Sequence, residues 1–124
     1  MEGSEGMTKM KMLMSAFRTS PPKSLGGIPV SFVRDYELLT RTAVSGQSEK
    51  LDAPKGNMVV LDLDQEGNYV AVRPSGTEPK VKFYFFTYLS PSQSKDLVGA
   101  KQKLAERIAE FRRDIQSYTA SVVG

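Results

Sequence analysis

The residues best suited to chemistry form one short run between two apolar segments of the 124-residue chain. The run reads Arg73-Pro74-Ser75-Gly76-Thr77-Glu78-Pro79-Lys80. The guanidinium of Arg73 offers a planar fork of donors that matches a phosphate, and the hydroxyls of Ser75 and Thr77 can also donate. Gly76 has no side chain, so an anion can come close to the backbone N–H groups. The pattern predicts a binding site for an oxyanion.

The other residues of the run are expected to support this loop. Pro74 and Pro79 restrict the backbone on either side, which lowers the entropy lost on binding. Lys80 adds a point charge, whereas the carboxylate of Glu78 repels an anion and is expected to cap loop N–H groups or to orient a cation. The run also fits a plain connection between two strands, because Arg-Pro-Ser-Gly is typical of a type I turn. It is not a P-loop, whose glycine and lysine pattern is missing.

The composition closes most routes to an independent enzyme. The chain contains no Cys, no His and no Trp. Without Cys there is no disulfide, no thiolate nucleophile and no Cys zinc site. Without His there is no Ser-His-Asp unit and no imidazole metal ligand. We predict no metal site, because Asp62-Leu63-Asp64 has the pattern of surface carboxylates beside a hairpin.

The net charge of +3 is mild and unevenly distributed. Residues 29–72 are acidic overall, whereas residues 73–89 contain three basic groups and one acidic group. This balance fits a local anion site better than a nucleic-acid-binding surface. No apolar run approaches the roughly 20 residues that span a bilayer, and no signal-peptide core is present. We therefore expect a cytoplasmic protein with no membrane partner.

Six elements are expected to position the loop, in the order α-β-β-β-β-α. Residues 1–7 carry no pattern and are expected to form a flexible leader or an expression remnant, which leaves 8–124 as the folded domain. A helix with Thr8 as N-cap is predicted to end before Pro21, because the residue ahead of a proline avoids the α region. Four segments with strand-like alternation follow, at 28–35, 58–64, 69–73 and 81–89. A long loop is expected over 37–57, with one short strand as an alternative within it.

The last element is a helix of about 25 residues over 92–118. Its apolar side chains recur at helical spacing; they are Leu97, Leu104, Ile108, Phe111, Ile115 and Tyr118. This face is expected to pack on the sheet, although a coiled-coil seam has a similar pattern. The whole order predicts an α+β fold, with a four-stranded, mostly antiparallel sheet and helices packed on one face.

The run from Arg73 to Lys80, followed by Val-Lys-Phe-Tyr-Phe, closely resembles the C-terminal domain of the α-D-phosphohexomutases, the phosphoglucomutase/phosphomannomutase group. Further resemblance lies in three upstream strings, Phe17-Arg18, Gly27-Ile28-Pro29-Val30 and Arg34-Asp35-Tyr36. It extends from about Thr8 to Tyr118. The resemblance implies a TATA-binding-protein-like α+β domain, the last of four.

The resemblance also implies a function. Family members interconvert hexose 1-phosphates and 6-phosphates through a bisphosphate intermediate, with Mg²⁺ and a hexose 1,6-bisphosphate activator in the full-length enzyme. Their C-terminal loop holds the phosphate that is not reacting. By motif position, Arg73, Ser75, Gly76 and Thr77 would form that clamp, with Lys80 as a weaker ligand. The partners implied are a phosphosugar and the other three domains.

The chain departs from the family in what it lacks. Neither the phosphoserine motif nor the Asp-x-Asp-x-Asp motif is present, so we expect no catalytic residue in this fragment and no turnover by it alone. The strand after the loop favours a phosphoglucomutase, while mannose and pentose phosphates remain open.

Two other functions fit parts of the sequence. A single-stranded nucleic-acid-binding module would use the basic and aromatic residues Lys80, Lys82, Tyr84, Phe86 and Tyr88. The glycine that an RNP1-like string needs is missing, so we expect no nucleic-acid partner and place these aromatic side chains in the core or under a helix. A dimerisation module would use the 92–118 helix.

Overall fold

The computed structural model describes residues 2–92 and 96–124 of the chain. Within these residues, two helices and seven strands follow one another in this order: α1 Glu2–Thr19, β1 Ser24–Leu25, β2 Ile28–Asp35, β3 Thr40–Ala43, β4 Ser48–Lys50, β5 Val59–Leu63, β6 Tyr69–Pro74, β7 Val81–Phe86 and α2 Leu97–Val123. The predicted α+β class is confirmed. Among these residues, no helix is long and apolar enough to cross a bilayer.

The sheet is antiparallel throughout and larger than predicted. Its order is β4-β3-β2-β5-β6-β7, and the short β1 pairs with β2 beside this path. The prediction of four strands was wrong, because β3 and β4 lie within the segment that we predicted as a long loop. All four residues of β3 are partly exposed and all three of β4 are exposed. Strands that bury no face carry no apolar alternation, so the sequence pattern did not show them.

One face of the sheet carries the core and both helices. The register aligns Val33, Leu61, Val70 and Phe85 across four neighbouring strands. Phe17 of α1 packs edge-on against Phe83 of β7, with ring centroids 5.8 Å apart. From α2, the guanidinium of Arg112 lies over the Phe85 ring, and Phe111 and Ile115 are buried. The apolar face of α2 therefore packs on its own domain.

The helix boundaries differ from the predicted ones. α1 begins at Glu2, ahead of the predicted N-cap at Thr8, so the segment that we assigned to a flexible leader is helical from Glu2 onward. It ends at Thr19, before Pro21, as the proline rule predicts. α2 begins at Leu97 and continues to Val123. Part of its predicted first turn, residues 93–95, lies outside the described residues.

Tyr118 connects the end of α2 to the end of α1. Its hydroxyl donates a hydrogen bond to the carbonyl of Ser20, and its ring packs on Phe17 with centroids 4.9 Å apart. Burial raises the pKa of the Tyr118 phenol above its ordinary value. The folded protein therefore holds the phenol proton more tightly than the unfolded chain does.

This shift predicts a loss of stability in alkali. The stabilisation from neutral Tyr118 is complete below the unfolded pKa of about 10 and is lost as the pH rises through the folded pKa. Urea unfolding at roughly pH 9 and pH 11 should therefore show a larger loss for the unmodified chain than for Tyr118→Phe, which has no phenol to ionise. Equal losses in the two proteins would show that Tyr118 does not carry this effect.

Candidate phosphate-binding site

The loop between β6 and β7 is closed by its own hydrogen bonds. The backbone N–H of Ser75 donates to the carbonyl of Lys80 at 2.8 Å. The hydroxyl of Ser75 accepts the N–H groups of Thr77 and Glu78, at 3.4 and 3.3 Å. The sequence therefore folds here into a small hydroxyl-capped turn.

Gly76 lies at the exposed tip of this loop. Its φ is outside the left-handed region, so the turn itself does not require glycine. A Cβ built at Gly76 meets no atom within 4 Å. What glycine leaves at this position is open access to the backbone, which is the property that close approach of an anion needs.

The strands next to the loop place two cations side by side. Arg73 of β6 and Lys82 of β7 are direct cross-strand partners, and both are exposed. Like charges directly opposite each other destabilise a sheet. Neither side chain has a hydrogen-bond or ion-pair partner within residues 2–92 and 96–124. An anion bound between them would remove the repulsion and supply the missing partner.

Lys82 was not among the residues that we predicted for this site. From the sequence we placed Lys82 on the aromatic face of the strand and named Lys80 as the nearby cation. Lys80 is instead paired with Glu78, with Nζ and Oε2 3.4 Å apart on an exposed part of the loop. Counting outward from the loop along both strands would have paired Arg73 with Lys82, because a hairpin register follows from its loop length.

The two prolines flank the turn. Pro74 is the last residue of β6 and pairs with Val81. The ring of Pro79 lies against α1, since a Cβ at Gly6 would come within 3.0 Å of it. The first turns of α1 therefore lie next to the loop at Pro79.

Comparison with known families gives one matching family. The profile of the family described as phosphoglucomutase/phosphomannomutase, C-terminal domain, matches residues 39–114, which is more than half of the chain and includes the loop. The chain belongs to this family. The recognition made from the sequence motif is confirmed.

Individual relatives are phosphoglucomutases. The phosphoglucomutase of Staphylococcus saprophyticus is 40% identical over 85 residues, covering 68% of this chain and 15% of the relative. Two phosphoglucomutases of Staphylococcus aureus, from strains MRSA252 and USA300, are 37% and 36% identical over 87 residues, with the same coverage. The chain thus spans a small part of the length of the curated relatives it matches. No solved structure matched it.

In this phosphohexomutase domain, the face of the sheet opposite the helices is open. Tyr84 and Phe86 lie on it and are 40% and 43% exposed. Phe86 stacks on Tyr69 with ring centroids 4.5 Å apart. Our placement of these aromatic side chains in the core or under a helix was wrong. Both faces of β7 are aromatic, so alternation alone could not tell which one the helices cover.

The open face also carries the Asp62 carboxylate. Asp62 accepts two hydrogen bonds from Arg34, each 2.8 Å long. Burial alone would lower the pKa of Arg34, but hydrogen bonding and charge pairing with Asp62 outweigh it and raise that pKa. Asp62 is therefore held in a bidentate ion pair. Within the described part of the chain, no cluster of three or more acidic side chains could hold a metal ion.

Proposed function

We propose that this chain is the substrate-phosphate-binding domain of a longer phosphoglucomutase or phosphomannomutase. The proposal rests on two exposed cations, Arg73 and Lys82, which face each other across neighbouring strands beside the open backbone of Gly76. Neither has a partner in the part of the chain that the structure describes. The guanidinium of Arg73 donates two parallel hydrogen bonds to phosphate oxygens. Ser75 and Thr77 add hydroxyl donors, and Lys80 adds charge from the rim.

The domain supplies binding and orientation and no reacting group. A clamp on one phosphate lowers a barrier only when a nucleophile and a metal are placed at the other end of the substrate. The acidic residues of this domain do not fit the Mg²⁺ of such an enzyme, since Asp62 is engaged by Arg34. We therefore assign Mg²⁺, the catalytic serine and the bisphosphate activator to other domains, and propose that the isolated chain does not turn over substrate.

The proposed substrate is a hexose phosphate. The relatives that match are named phosphoglucomutases, which favours glucose phosphate over mannose or pentose phosphate. The other three domains of the enzyme are the proposed protein partners, and the cytoplasm is the proposed location.

The nucleic-acid alternative gains one observation from the structure. Lys82, Tyr84 and Phe86 share the open face, as a stacking platform requires. Phe86, however, is stacked on Tyr69 within its own sheet, and the neighbouring Arg34 is engaged by Asp62. The phosphate clamp explains Arg73 and Lys82 without using these aromatic rings, so we keep it as the first function.

A titration of the 124-residue chain with inorganic phosphate tests the clamp. We expect the backbone amides of Gly76 and Thr77 to show the largest NMR shifts, because they line the loop where the anion binds. Chloride at equal ionic strength is the control, since it reproduces screening without the tetrahedral oxygens. Absent shifts, or shifts spread over all basic residues in both salts, would contradict a specific phosphate site.

A further inference from the structure

Within the part of the chain that the structure describes, the two edges of the sheet differ in length and chemistry. β4 forms one edge and has three residues, all of them polar and exposed. β7 forms the other edge and has six residues, five of which are apolar or aromatic. Proteins usually protect an edge strand with charges, prolines or a short length, because its unpaired backbone groups can pair with another chain. β4 is protected in this way, whereas β7 has one charged side chain, Lys82.

The outer edge of β7 presents the backbone groups of every second residue. The N–H of Ser75 donates to the carbonyl of Lys80, and this pair continues the register of β6 and β7. Hydrogen-bonded pairs alternate along an antiparallel ladder, so the even-numbered residues of β7 direct their backbone groups toward β6. The odd-numbered residues direct theirs outward; they are Val81, Phe83 and Phe85. Within residues 2–92 and 96–124, no strand pairs with this outer edge.

Apolar side chains are exposed on both faces of this edge strand. On the open face, the rings of Tyr84 and Phe86 remain exposed. On the face that the helices cover, all three apolar residues of β7 are only partly buried, although Val70 and Val72 of the neighbouring β6 have no exposed surface. A strand paired with the outer edge of β7 would therefore bury apolar surface on both faces of the sheet.

We propose that the outer edge of β7 pairs with the same edge of a second copy of this chain. The two strands run antiparallel about a twofold axis at Tyr84. In this register, the outward backbone groups of Phe83 in one copy bond to those of Phe85 in the second copy, and the reverse. Tyr84 lies opposite Tyr84 of the second copy. A closed twofold dimer of this kind leaves neither β7 edge exposed.

The charge pattern of β7 favours a second copy in this register. Lys82 faces Phe86 of the second copy, so that its ammonium can lie over that ring in a cation–π contact. The two Lys82 cations are then four residues apart along the strands, or about 13 Å. An axis at Phe83 would bring them within two residues of each other, and an axis at Lys82 would place them directly opposite, where like charges destabilise a sheet. β7 is therefore complementary to itself about Tyr84.

This inference goes beyond the proposed phosphate-binding function and does not rest on it. The dimer uses the outer edge of β7, whereas the proposed clamp lies on the side of β7 that faces β6. Lys82 borders both, and none of the variants below changes it. Failure of either proposal therefore leaves the other standing.

Sedimentation and amide hydrogen exchange of the 124-residue chain test the pairing. A contact of this small size should be weak, so we expect a monomer at about 10 µM and a growing dimer fraction toward about 1 mM. Over the same range, the amides of Phe83 and Phe85 should become protected, while the amide of Tyr84, which already faces β6, should not change. A monomer at every concentration would overturn the proposal. So would a dimer that leaves Phe83 and Phe85 unprotected, because its interface would lie elsewhere.

Charged substitutions at Tyr84 test the position of the axis. Tyr84 is exposed in the single chain, so Tyr84→Lys and Tyr84→Glu should both fold. Each variant places two like charges opposite each other in its own dimer, and we expect self-association to weaken roughly tenfold. An equal mixture of the two variants should recover the dimer, because lysine then faces glutamate.

Val44→Lys and Val44→Glu are the matched controls. Val44 is exposed and follows β3, far from β7 in the order of the sheet. Both controls should associate as the unmodified chain does. Equal weakening by the Tyr84 and Val44 variants would overturn the proposed dimer, and so would the absence of recovery in the Tyr84 mixture.

A cysteine at the axis gives an independent measurement. The chain contains no cysteine, so a disulfide in Tyr84→Cys must join two copies. A cross-strand pair without hydrogen bonds has Cα atoms about 4.5 Å apart, a separation that a disulfide can span. In a glutathione redox buffer, we expect Tyr84→Cys to form covalent dimers roughly tenfold faster than Val44→Cys. Equal rates for the two variants would overturn the proposal.

Discussion

Replacing Arg73 by alanine is expected to weaken the binding of inorganic phosphate to this chain by roughly ten- to a hundredfold. The change removes a charge-assisted, two-pronged hydrogen bond, which contributes about 1.5–3 kcal/mol, and each 1.4 kcal/mol corresponds to about tenfold in affinity. It also removes the repulsion between Arg73 and its cross-strand partner Lys82. The free energy of unfolding without phosphate should therefore stay the same or rise slightly.

Weaker phosphate binding together with an unchanged free energy of unfolding would show that Arg73 has a binding role and not a structural one. NMR titration gives the affinity, and urea unfolding with and without phosphate gives the stability and its ligand dependence. In a longer enzyme that contains this domain, Arg73→Ala should raise KM and lower kcat/KM for the sugar phosphate. The kcat/KM of Arg73→Lys should lie between those of the unmodified enzyme and Arg73→Ala, because lysine keeps the charge and loses the planar fork.

Arg41→Ala is the matched control for Arg73→Ala. It removes the same charge from the same open face, but Arg41 is paired with Glu49 at 3.0 Å and lies over the ring of Phe32. It is far from the loop, on β3 near the other edge of the sheet. Phosphate affinity should be unchanged. Comparable weakening by Arg41→Ala and Arg73→Ala would mean that phosphate responds to net charge alone and that no specific clamp exists.

The phosphate loop was predictable because its signals are local. Proline, glycine and hydroxyl residues between two apolar segments predict a tight turn, and the structure has that turn between β6 and β7. The cross-strand partner of Arg73 needs one further step, because it depends on the pairing register as well as on the motif. Lys80 and Lys82 are two residues apart, so a register shifted by two residues would place Lys80 opposite Arg73 in place of Lys82.

The position of the 54–58 segment beside Arg73 was not predictable from the sequence, for a different reason. Gly56 and Asn57 lie in a polar segment without periodicity, and no motif marks them. Their place beside Arg73 depends on long-range contacts, which are the backbone hydrogen bonds of Gly56 and Met58 with Tyr36 and the hydrogen bond from Arg18 to Asn57. Contacts of this kind are set by tertiary packing rather than by local pattern.

The end of α2 shows how a helix continues past the last residue that we placed on its periodic apolar face. We predicted an end near Tyr118, the last apolar residue of the periodic face. No proline or glycine follows until Gly124, and the helix continues to Val123. Gly124 then takes a left-handed φ of 64° and donates its N–H to the carbonyl of Ala120. A helix without a stop signal continues while its backbone hydrogen bonds are met.

Phe17→Ala is expected to have the largest effect on stability, with a loss of about 3–5 kcal/mol in the free energy of unfolding. Phe17 has no exposed surface, and its ring packs between Phe83 of β7 and Tyr118 of α2. Truncation leaves a cavity where α1, α2 and the sheet meet. The total free energy of unfolding of a small domain is about 5–15 kcal/mol, so this one change should remove a large share of the stability.

Phe86→Ala provides the comparison, because it makes the same chemical change on the opposite face. Phe86 is 43% exposed and has one stacked ring partner, Tyr69, so its loss should cost about 0.5–1.5 kcal/mol beyond the area it buries. Urea unfolding of both variants measures the difference. Similar losses would mean that Phe17 contributes no more to the core than a ring on the open face. We expect the larger loss for Phe17→Ala because Phe17 packs on the face of β7 that the helices cover, whereas Phe86 lies on the open face. Phe86→Ala should also leave phosphate binding at Lys82 intact.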